Sequence, residues 1–361
     1  MKKLFLLLFL AGAVGAAQKP NVILIMVDDM GRDWVSCYGA QHQTPNIDRL
    51  AKEGIRYETA WSMPICTPTR VTLLTGQYPF HHGWTKHYDV PRLGGAGLRP
   101  DRFTTFARLL RDNGYSTVIG GKWQVNHLGK QPNILQEHGF DEHCVWPGAE
   151  EGKPETEPRY WKGFLQANDR RGTVAYGPYS INEYLINFIQ RHKDHPFLVY
   201  YPMLLTHGPH TVTPFNREKK PEGEAALYAG SVTYMDHLVG NLVAAVDKLG
   251  LKDKTMIVFT GDNGSSVPGI LHGKPYPKGK SGEADWGAHV PFIVRAPFLS
   301  EGDVVSRDMI DFTDLYPTFL DLAGIVPPKN LKLDGKSFVP SMRGSEDPYE
   351  KRSWVYSQLG G

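Results

Sequence analysis

The chain has 361 residues, of which 41% are hydrophobic and 22% are charged, so it is long enough to bury a large core and is not a disordered chain. Its 40 Lys and Arg residues nearly balance 38 Asp and Glu residues, which argues against a general binder of nucleic acid or of acidic membranes. The length suits one large α/β domain, and any anion has to be bound locally.

The N-terminus has the order of segments that is typical of a secretory signal. Lys2 and Lys3 precede an apolar run at residues 4–14, and the small residues 15–17 follow. The apolar run is too short to span a bilayer as a stable anchor. The sequence therefore predicts a signal peptide at residues 1–17, a mature domain at residues 18–361 and export to the periplasm or the medium.

The three cysteines are Cys37, Cys66 and Cys144. An odd number in an exported protein points to one special thiol. A disulfide between Cys37 and Cys144 would leave Cys66 as that thiol.

The first predicted strand is the β-favouring run at residues 21–27, whose lack of alternation is typical of a strand covered on both faces. Asp28 and Asp29 follow it directly. Open α/β sheets bind ligands at the carboxyl ends of their strands, and these oxygens would suit a hard cation such as Ca²⁺. A solvated acidic turn is the alternative interpretation.

A helix is predicted to begin near Cys66, with Pro68 in its first turn. Cys66 and Arg70 then lie on the same face, because residues four apart are neighbours on a helix. Helix N-termini hold anions and activate nucleophiles. Alternatively, Cys66 is a half-buried thiol in a turn.

The other predicted elements alternate between helices and strands, which favours a mostly parallel sheet with helices on both faces. The acidic residues of the loop predicted at residues 147–158 are expected to be solvated. The sequence predicts helices at residues 44–54, 101–113, 179–191, 224–250 and 311–323, strands at 115–119, 197–201, 255–259, 291–294 and 353–357, and loops at 147–158 and 265–282.

Polar and charged side chains follow four of the predicted strands, and the carboxyl ends of parallel strands meet at one edge of a sheet. We therefore expect one site there, whose oxygen ligands favour Ca²⁺ or Mg²⁺ over zinc and whose basic groups suit a tetrahedral anion. A histidine there could protonate a leaving alkoxide. The expected metal ligands are Asp28, Asp29, Asp262, Asn263 and residue 66, the expected anion-binding groups are Arg70, Lys122 and Lys280, and the expected proton donor is His207.

The run Cys66-Thr67-Pro68-Thr69-Arg70, with Leu73-Leu74-Thr75-Gly76 after it, resembles the signature of the type I sulfatases. Thr69 stands where that family usually has Ser and keeps the hydroxyl. The chain also resembles that family at Asp28-Asp29, Gly121-Lys122-Trp123, Thr206-His207-Gly208-Pro209, Gly261-Asp262-Asn263-Gly264 and the position of Lys280. The resemblance therefore covers residues 21 to about 322.

The chain departs from the family pattern after Lys122. The family commonly has His two residues beyond this lysine, whereas this chain has Gln124 and reaches His127 three residues later. Either His127 fills the family role or Gln124 hydrogen-bonds in its place without acid–base capacity.

The resemblance implies an arylsulfatase-like hydrolase with the alkaline-phosphatase type of fold. In that family a separate maturation enzyme oxidises the cysteine to formylglycine, whose hydrate attacks the sulfur of a sulfate monoester. Arg70, Lys122, Lys280 and the cation would neutralise the growing charge, and His207 would protonate the departing alcohol. Residues 18–361 would form the catalytic domain, and a small C-terminal subdomain of the family would be missing or truncated.

The alcohol half of the substrate is not encoded in these motifs. A sulfated glycan or an aryl sulfate is expected, with no nucleic acid partner and no stable membrane anchor. Two alternatives remain open: a phosphate or phosphonate monoester hydrolase of the same superfold, and a non-catalytic Ca²⁺-dependent binder of sulfated ligands in which Cys66 stays a thiol.

Overall fold

The strands and helices of the protein come from a computed structural model that describes residues 19–348 and 350–360. The predicted signal peptide at residues 1–17 lies outside the described residues. The strands are β1 (Asn21–Val27), β2 (Ile55–Trp61), β3 (Ser116–Lys122), β4 (Glu142–Trp146), β5 (Trp161–Ala167), β6 (Arg170–Tyr176), β7 (Phe197–Pro202), β8 (Thr255–Gly261), β9 (Gly269–Leu271), β10 (Lys274–Tyr276), β11 (Phe292–Arg295) and β12 (Val304–Asp311).

The helices vary from single turns to the 25 residues of the longest one. They are α1 (Pro45–Lys52), α2 (Cys66–Thr75), α3 (Pro79–His82), α4 (Val90–Leu93), α5 (Phe106–Asp112), α6 (Ile134–Glu137), α7 (Gly177–Arg191), α8 (Glu224–Lys248), α9 (Asp285–Ala288), α10 (Leu315–Ala323) and α11 (Val339–Met342).

One ten-stranded sheet organises the chain, in the order β12-β2-β11-β8-β1-β7-β3-β4-β5-β6. The five strands from β8 to β4 are parallel to their neighbours within this run. Strands β11, β5 and β6 pair antiparallel, and β12 is parallel to β2. The predicted α/β fold with a mostly parallel sheet is confirmed.

Strand β1 lies in the middle of this sheet and is buried along its whole length. Its side chains alternate between two cores: Leu24 packs with residues of α2, α5 and α10, and Ile25 packs with residues of α1, α7 and α8. The continuous apolar run therefore reflects helices on both faces.

Several predictions for individual segments differ from the structure. The helix expected from residue 101 begins at Phe106, because the Thr105 side chain accepts a hydrogen bond from Arg108 N and caps it there. The loop at 265–282 contains the β9–β10 hairpin. Glu150, expected to be solvated, is only 3% exposed and is bound by Arg171 through both carboxylate oxygens.

The strand predicted at residues 353–357 does not form. The aromatic rings of Trp354 and Tyr356 pack on Tyr78, and the Tyr356 amide donates to the Asp311 carboxylate rather than to a neighbouring strand. Contacts of the side chains thus override the β propensity of this segment.

Cys37, Cys66 and Cys144 are all unpaired, so the structure contains no Cys37–Cys144 disulfide within its described residues. None of the helices among the same residues combines the length and the apolar character that crossing a bilayer requires.

Candidate active site

The carboxyl ends of four adjacent parallel strands bring the predicted residues together. Asp28 and Asp29 follow β1, Asp262 and Asn263 follow β8, His207 lies in the segment after β7, and Lys122 is the last residue of β3. Lys122 Nζ lies 2.6 Å from Asp28 Oδ2. The convergence that the sequence predicted is therefore present.

Helix α2 carries Cys66 to this edge. Cys66 is its first residue, Pro68 lies in its first turn, and all ten residues of the helix are buried. One turn beyond Cys66, Arg70 donates to Asp262 Oδ2 at 2.7 Å and lies 3.6 Å from Asp28 Oδ2. Cys66 Sγ and one oxygen each of Asp28 and Asp262 all lie within 4.8 Å of one another.

The residue directly before Lys122 has to be a glycine. Its φ is +130°, and a Cβ at this position would lie 1.8 Å from the carbonyl oxygen of Pro202 in β7. Only glycine fits this close approach of two backbones. The end of β3 can then deliver Lys122 to the site.

Each of the three carboxylates is paired with one basic side chain. Lys122 binds Asp28, Arg70 binds Asp262, and Lys280 Nζ lies 2.7 Å from Asp29 Oδ2. Burial disfavours the charged form of Asp28, but Lys122 and its other basic neighbours outweigh it and hold the pKa of Asp28 well below its usual range. For Lys280, burial opposes the charge, yet Asp29 and Asp28 raise its pKa to about 12.

Two buried oxygens of this cluster have no hydrogen-bond partner in the described part of the chain: Asp28 Oδ1 and Asn263 Oδ1. The Asn263 amide nitrogen is used, because it donates to Asp29 Oδ1 and to the Gly264 carbonyl oxygen. Leaving a buried oxygen unsatisfied is costly. A hard cation would satisfy both atoms, so the residues present fit Ca²⁺ or Mg²⁺.

His207 lies beside the carboxylates that follow β1. Its Nε2 is 3.8 Å from Asp29 Oδ2, and its Nδ1 is 2.7 Å from the Gly208 carbonyl oxygen and 3.3 Å from Arg159 Nη1. Burial, reinforced by Lys122 and Lys280 and opposed by Asp28 and Asp29, lowers the pKa of His207 to about 4. The imidazole is therefore placed where it could exchange a proton with a bound ligand.

The structure does not bring His127 into this group. Its Nδ1 accepts from the Lys130 amide at 3.3 Å and lies 3.7 Å from the buried carboxylate of Glu150. Gln124 is buried and its Oε1 has no partner. Across residues 19–348 and 350–360, no hydrogen bond or ion pair joins either side chain to the three carboxylates.

His87 is a residue that the sequence analysis missed. Its Nδ1 lies 3.1 Å from Thr67 Oγ1 and 3.8 Å from Cys66 Sγ, while the residue as a whole is exposed. It lies between α3 and α4, where no apolar period marks the chain. Only the fold shows that this loop folds back over the start of α2.

Comparison with known proteins gives consistent results. A family model described as Sulfatase matches residues 20–325. N-acetylgalactosamine-6-sulfatase of Canis lupus familiaris is 31% identical over 369 residues, which cover 93% of this chain and 68% of that protein.

Two solved structures show the same architecture. The crystal structure of Ps i-CgsB has a TM-score of 0.79 and 29% identity and covers 92% of this chain and 78% of that one; it is also known in complex with k-i-k-neocarrahexaose. The phosphonate monoester hydrolase of Agrobacterium radiobacter has a TM-score of 0.68 at 22% identity, covering 91% of this chain and 78% of that one, a likeness of fold alone.

Proposed function

Because the chain belongs to the sulfatase family and hydrolyses sulfate monoesters, we propose that it does so with a formylglycine made from Cys66 and a bound Ca²⁺ ion. One observation carries this proposal. Cys66 begins a buried helix at the point where three carboxylates, three basic side chains and two unsatisfied oxygens meet.

The cation would be held by Asp28, Asp29, Asp262, Asn263 and residue 66. Oxygen donors of this kind bind Ca²⁺, and Mg²⁺ is the alternative. When bound, the ion supplies positive charge that makes a neighbouring hydroxyl more acidic and polarises a sulfate oxygen. Both unsatisfied oxygens belong to this donor set, which supports it.

Arg70, Lys122 and Lys280 would bind the oxygens of the sulfate group. In the structure these three groups neutralise the carboxylates one to one. A divalent cation would take over that neutralisation and leave an excess of positive charge, which suits an anionic ester and its transition state.

Hydrated formylglycine at position 66 supplies one hydroxyl that attacks sulfur and a second whose deprotonation expels sulfate and restores the aldehyde. Binding of the anionic ester beside His207 would favour its imidazolium form, whose Nε2 proton would pass to the oxygen of the departing alcohol as the sulfur–oxygen bond breaks. A plain thiol has no second hydroxyl, so turnover requires the modification and hence a maturation enzyme in the host.

His87 would accept the proton of that second hydroxyl. The amide of Gln124 cannot take a proton, and His127 is bound beside Glu150. His87 is the histidine whose ring nitrogen approaches Cys66 Sγ among the described residues. His87, from the loop between α3 and α4, would therefore act as the base in place of the histidine that the family has two residues after Lys122.

Sulfated glycans are the substrate class that the relatives favour. The canine relative is named for a sulfated amino sugar, and Ps i-CgsB is known with a bound neocarrahexaose. Sulfate release measured over sulfated saccharides and aryl sulfates tests this: we expect turnover of saccharides, and turnover of aryl sulfates alone would contradict it.

Two other functions remain to be separated from this one. The shared fold keeps a phosphonate or phosphate monoester hydrolase as an alternative, which faster turnover of those esters would favour. A non-catalytic binder of sulfated ligands would retain a thiol at Cys66. Mass spectrometry of the peptide that carries residue 66, from protein made in its host, distinguishes thiol from aldehyde.

We also propose that residues 18–361 form the catalytic domain of an exported enzyme from which residues 1–17 are removed. The order of charged, apolar and small residues in that segment supports this. N-terminal sequencing of the exported protein tests it, and a sequence beginning at Met1 or Lys2 would contradict it.

A further inference from the structure

Arg159 lies beside the proposed proton donor and has no role in the chemistry described so far. It precedes β5, and its guanidinium carbon lies 3.9 Å from the ring centre of Trp146, the last residue of β4. In the sheet Trp146 is paired with Lys122. Arg159 is thus stacked next to the strand end that delivers Lys122, and its Nη1 reaches within 3.3 Å of His207 Nδ1.

The charge of Arg159 is not compensated by the protein. No carboxylate among the described residues lies within ion-pair distance of it, and its buried Nε has no hydrogen-bond partner. Among the described residues, Nη1 has its hydrogen-bond contact with His207, whose Nδ1 lies closer to the Gly208 carbonyl oxygen, at 2.7 Å. A ring nitrogen that donates to this carbonyl cannot also accept from Arg159.

The guanidinium is nevertheless held in place. Trp146 is 4% exposed, and its indole nitrogen donates to the Thr156 carbonyl oxygen at 2.8 Å. The hydroxyl of the next residue, Tyr160, bonds the carbonyl oxygens of Leu204 and His207. A fixed, partly buried guanidinium without an anion is costly for the protein alone and well suited to bind an oxyanion of a ligand.

We propose that Arg159 binds a second anionic group on the alcohol half of the substrate, either a further sulfate or a uronate carboxylate. This rests on the proposed function: if His207 protonates the leaving oxygen, a group beside His207 faces the leaving alcohol rather than the reacting sulfate. The preferred substrates are then polyanionic saccharides, and Arg159 is a specificity residue.

The test compares Arg159→Met with Arg217→Met. Methionine keeps an apolar chain on the Trp146 ring and removes the charge. Arg217 is a matched control, because it also stacks on a tryptophan, Trp161, at 4.6 Å but is exposed and does not contact His207. The probes are N-acetylgalactosamine sulfates with one and with two sulfates, the uronate-containing chondroitin disaccharides, and 4-nitrophenyl sulfate.

We expect Arg159→Met to lower kcat/KM about ten- to a hundredfold for a substrate with a second anion, the range of a charged hydrogen bond, and less than about threefold for one without. Arg217→Met should change neither. The fall in kcat/KM is then compared between disulfated and uronate substrates. The substrate class with the larger fall identifies which anion Arg159 binds.

An equal loss for all substrates, 4-nitrophenyl sulfate included, would overturn the proposal, since Arg159 would then act through His207 or the reacting sulfate. A wild-type enzyme indifferent to the second anion would overturn it too. Calorimetric binding of the same saccharides to the Cys66→Ala variant, with and without Arg159→Met, measures recognition without turnover. If the wild type releases no sulfate from any ester, the proposed function fails, while this binding difference still decides the role of Arg159.

Discussion

Residue 66 concentrates the chemistry of the molecule on one side chain. Cys66 is completely buried, and its sulfur lies among carboxylates that are already neutralised by basic groups. A buried thiol in such a place adds little to folding beyond its small apolar volume. A change of Cys66 should therefore affect the activity of the protein much more than its stability.

Cys66→Ala is expected to abolish sulfate release while the protein still folds, because alanine removes the precursor of the nucleophile but only one atom from the core. Sulfate release and circular dichroism measured together check this. Cys37→Ala is the control, since Cys37 is unpaired and outside the site, and it should retain turnover. Sulfate release by the Cys66→Ala enzyme would refute the assignment.

His87→Ala is expected to lower kcat about a hundredfold or more, the usual contribution of a general base, and to lower KM with it, because only the step after sulfate transfer is slowed. Because the lost step is the expulsion of sulfate, a sulfated enzyme should accumulate and be visible by intact-protein mass spectrometry. His81→Ala is the matched control, as His81 is exposed and bonds Asp334 instead. If His127→Ala accumulates this adduct and His87→Ala does not, the base has been misassigned.

At the scale of whole elements, the sequence predicted the strands that are buried on both faces. Strands β1, β3, β7 and β8 lie in the middle of the sheet and contain short apolar runs, so their existence was predicted correctly. The predictions stopped early on β3 and β8, because the glycines that end them look like turn residues. In β3, Gly121 instead allows close contact with the backbone of Pro202, and Gly120 leaves room for the side chain of Leu185.

The strands at the edges of the sheet were missed for a physical reason. Strand β6 is the outermost strand on one side and is mostly exposed, so it has no apolar pattern. Strand β12 on the other side alternates irregularly around a bulge between Ser306 and Met309. An edge strand has little to bury, and its position is set by its neighbour rather than by its own composition.

The same distinction applies to the site. Residues that end or directly follow a central strand could be found from the sequence, as for Asp28, Lys122 and Asp262. Loop residues that match no family motif could not: His87 and Arg159 approach the site only after the chain has folded back, whereas the loop residues His207 and Lys280 match family motifs. His127 shows the converse. Its position in the sequence, close to the family motif at Lys122, suggested a role in the site, but its loop places the side chain beside Glu150.

Helix α1 depends on a carboxylate from another helix. Its N-cap residue makes no side-chain cap, and Asp236 of α8 accepts hydrogen bonds from the amides of Asn46 and Ile47 at 3.1 and 2.9 Å. Asp236→Ala leaves these donors unsatisfied and should lower the free energy of unfolding by about 1–3 kcal/mol. Urea unfolding measures this, and the exposed Lys248→Ala in the same helix should have no comparable effect.

The activity of Asp236→Ala should remain, because α1 carries none of the proposed site residues. A variant as stable as the wild type would show that water replaces the carboxylate at the start of α1.

For the molecule as a whole, one buried carboxyl makes stability depend on pH. Burial raises the pKa of Asp33 to about 7, although Ser265 Oγ donates to its Oδ1 and Arg32 is near. The pKa is higher in the folded than in the unfolded state, so the folded state binds more protons between about pH 4 and 7. The contribution of Asp33 to stability is therefore greatest below this range and falls as the pH rises through it.

Asp33→Asn should remove most of this slope and be more stable than the wild type at pH 8, because an amide has no charge to bury. Urea unfolding at several pH values between 5 and 8 checks this. The exposed Asp253→Asn should keep the wild-type slope. If the slope persists in Asp33→Asn, another group is responsible for it.

Binding of the cation should stabilise the whole fold, because its proposed ligands come from β1, β8 and α2, which are distant in sequence. The unfolded chain does not hold these oxygens together, so the ion binds the folded state selectively. At a Ca²⁺ concentration of about 100 Kd the gain in the free energy of unfolding is about 2.7 kcal/mol. This corresponds to a rise of several degrees in Tm when Ca²⁺ is added to protein that was first treated with a chelator.

Asp262→Asn should reduce this Ca²⁺-dependent rise in Tm, since it weakens the donor set and frees Arg70 from its partner. The exposed Asp169→Asn is the control and should keep the full rise. Differential scanning calorimetry with and without Ca²⁺ gives both values. An equal rise in the two variants would place the cation elsewhere. A site at the unsatisfied oxygens of Asp28 and Asn263 must also depend on Asp262, which precedes Asn263 and has a carboxylate oxygen within 4.8 Å of one of Asp28.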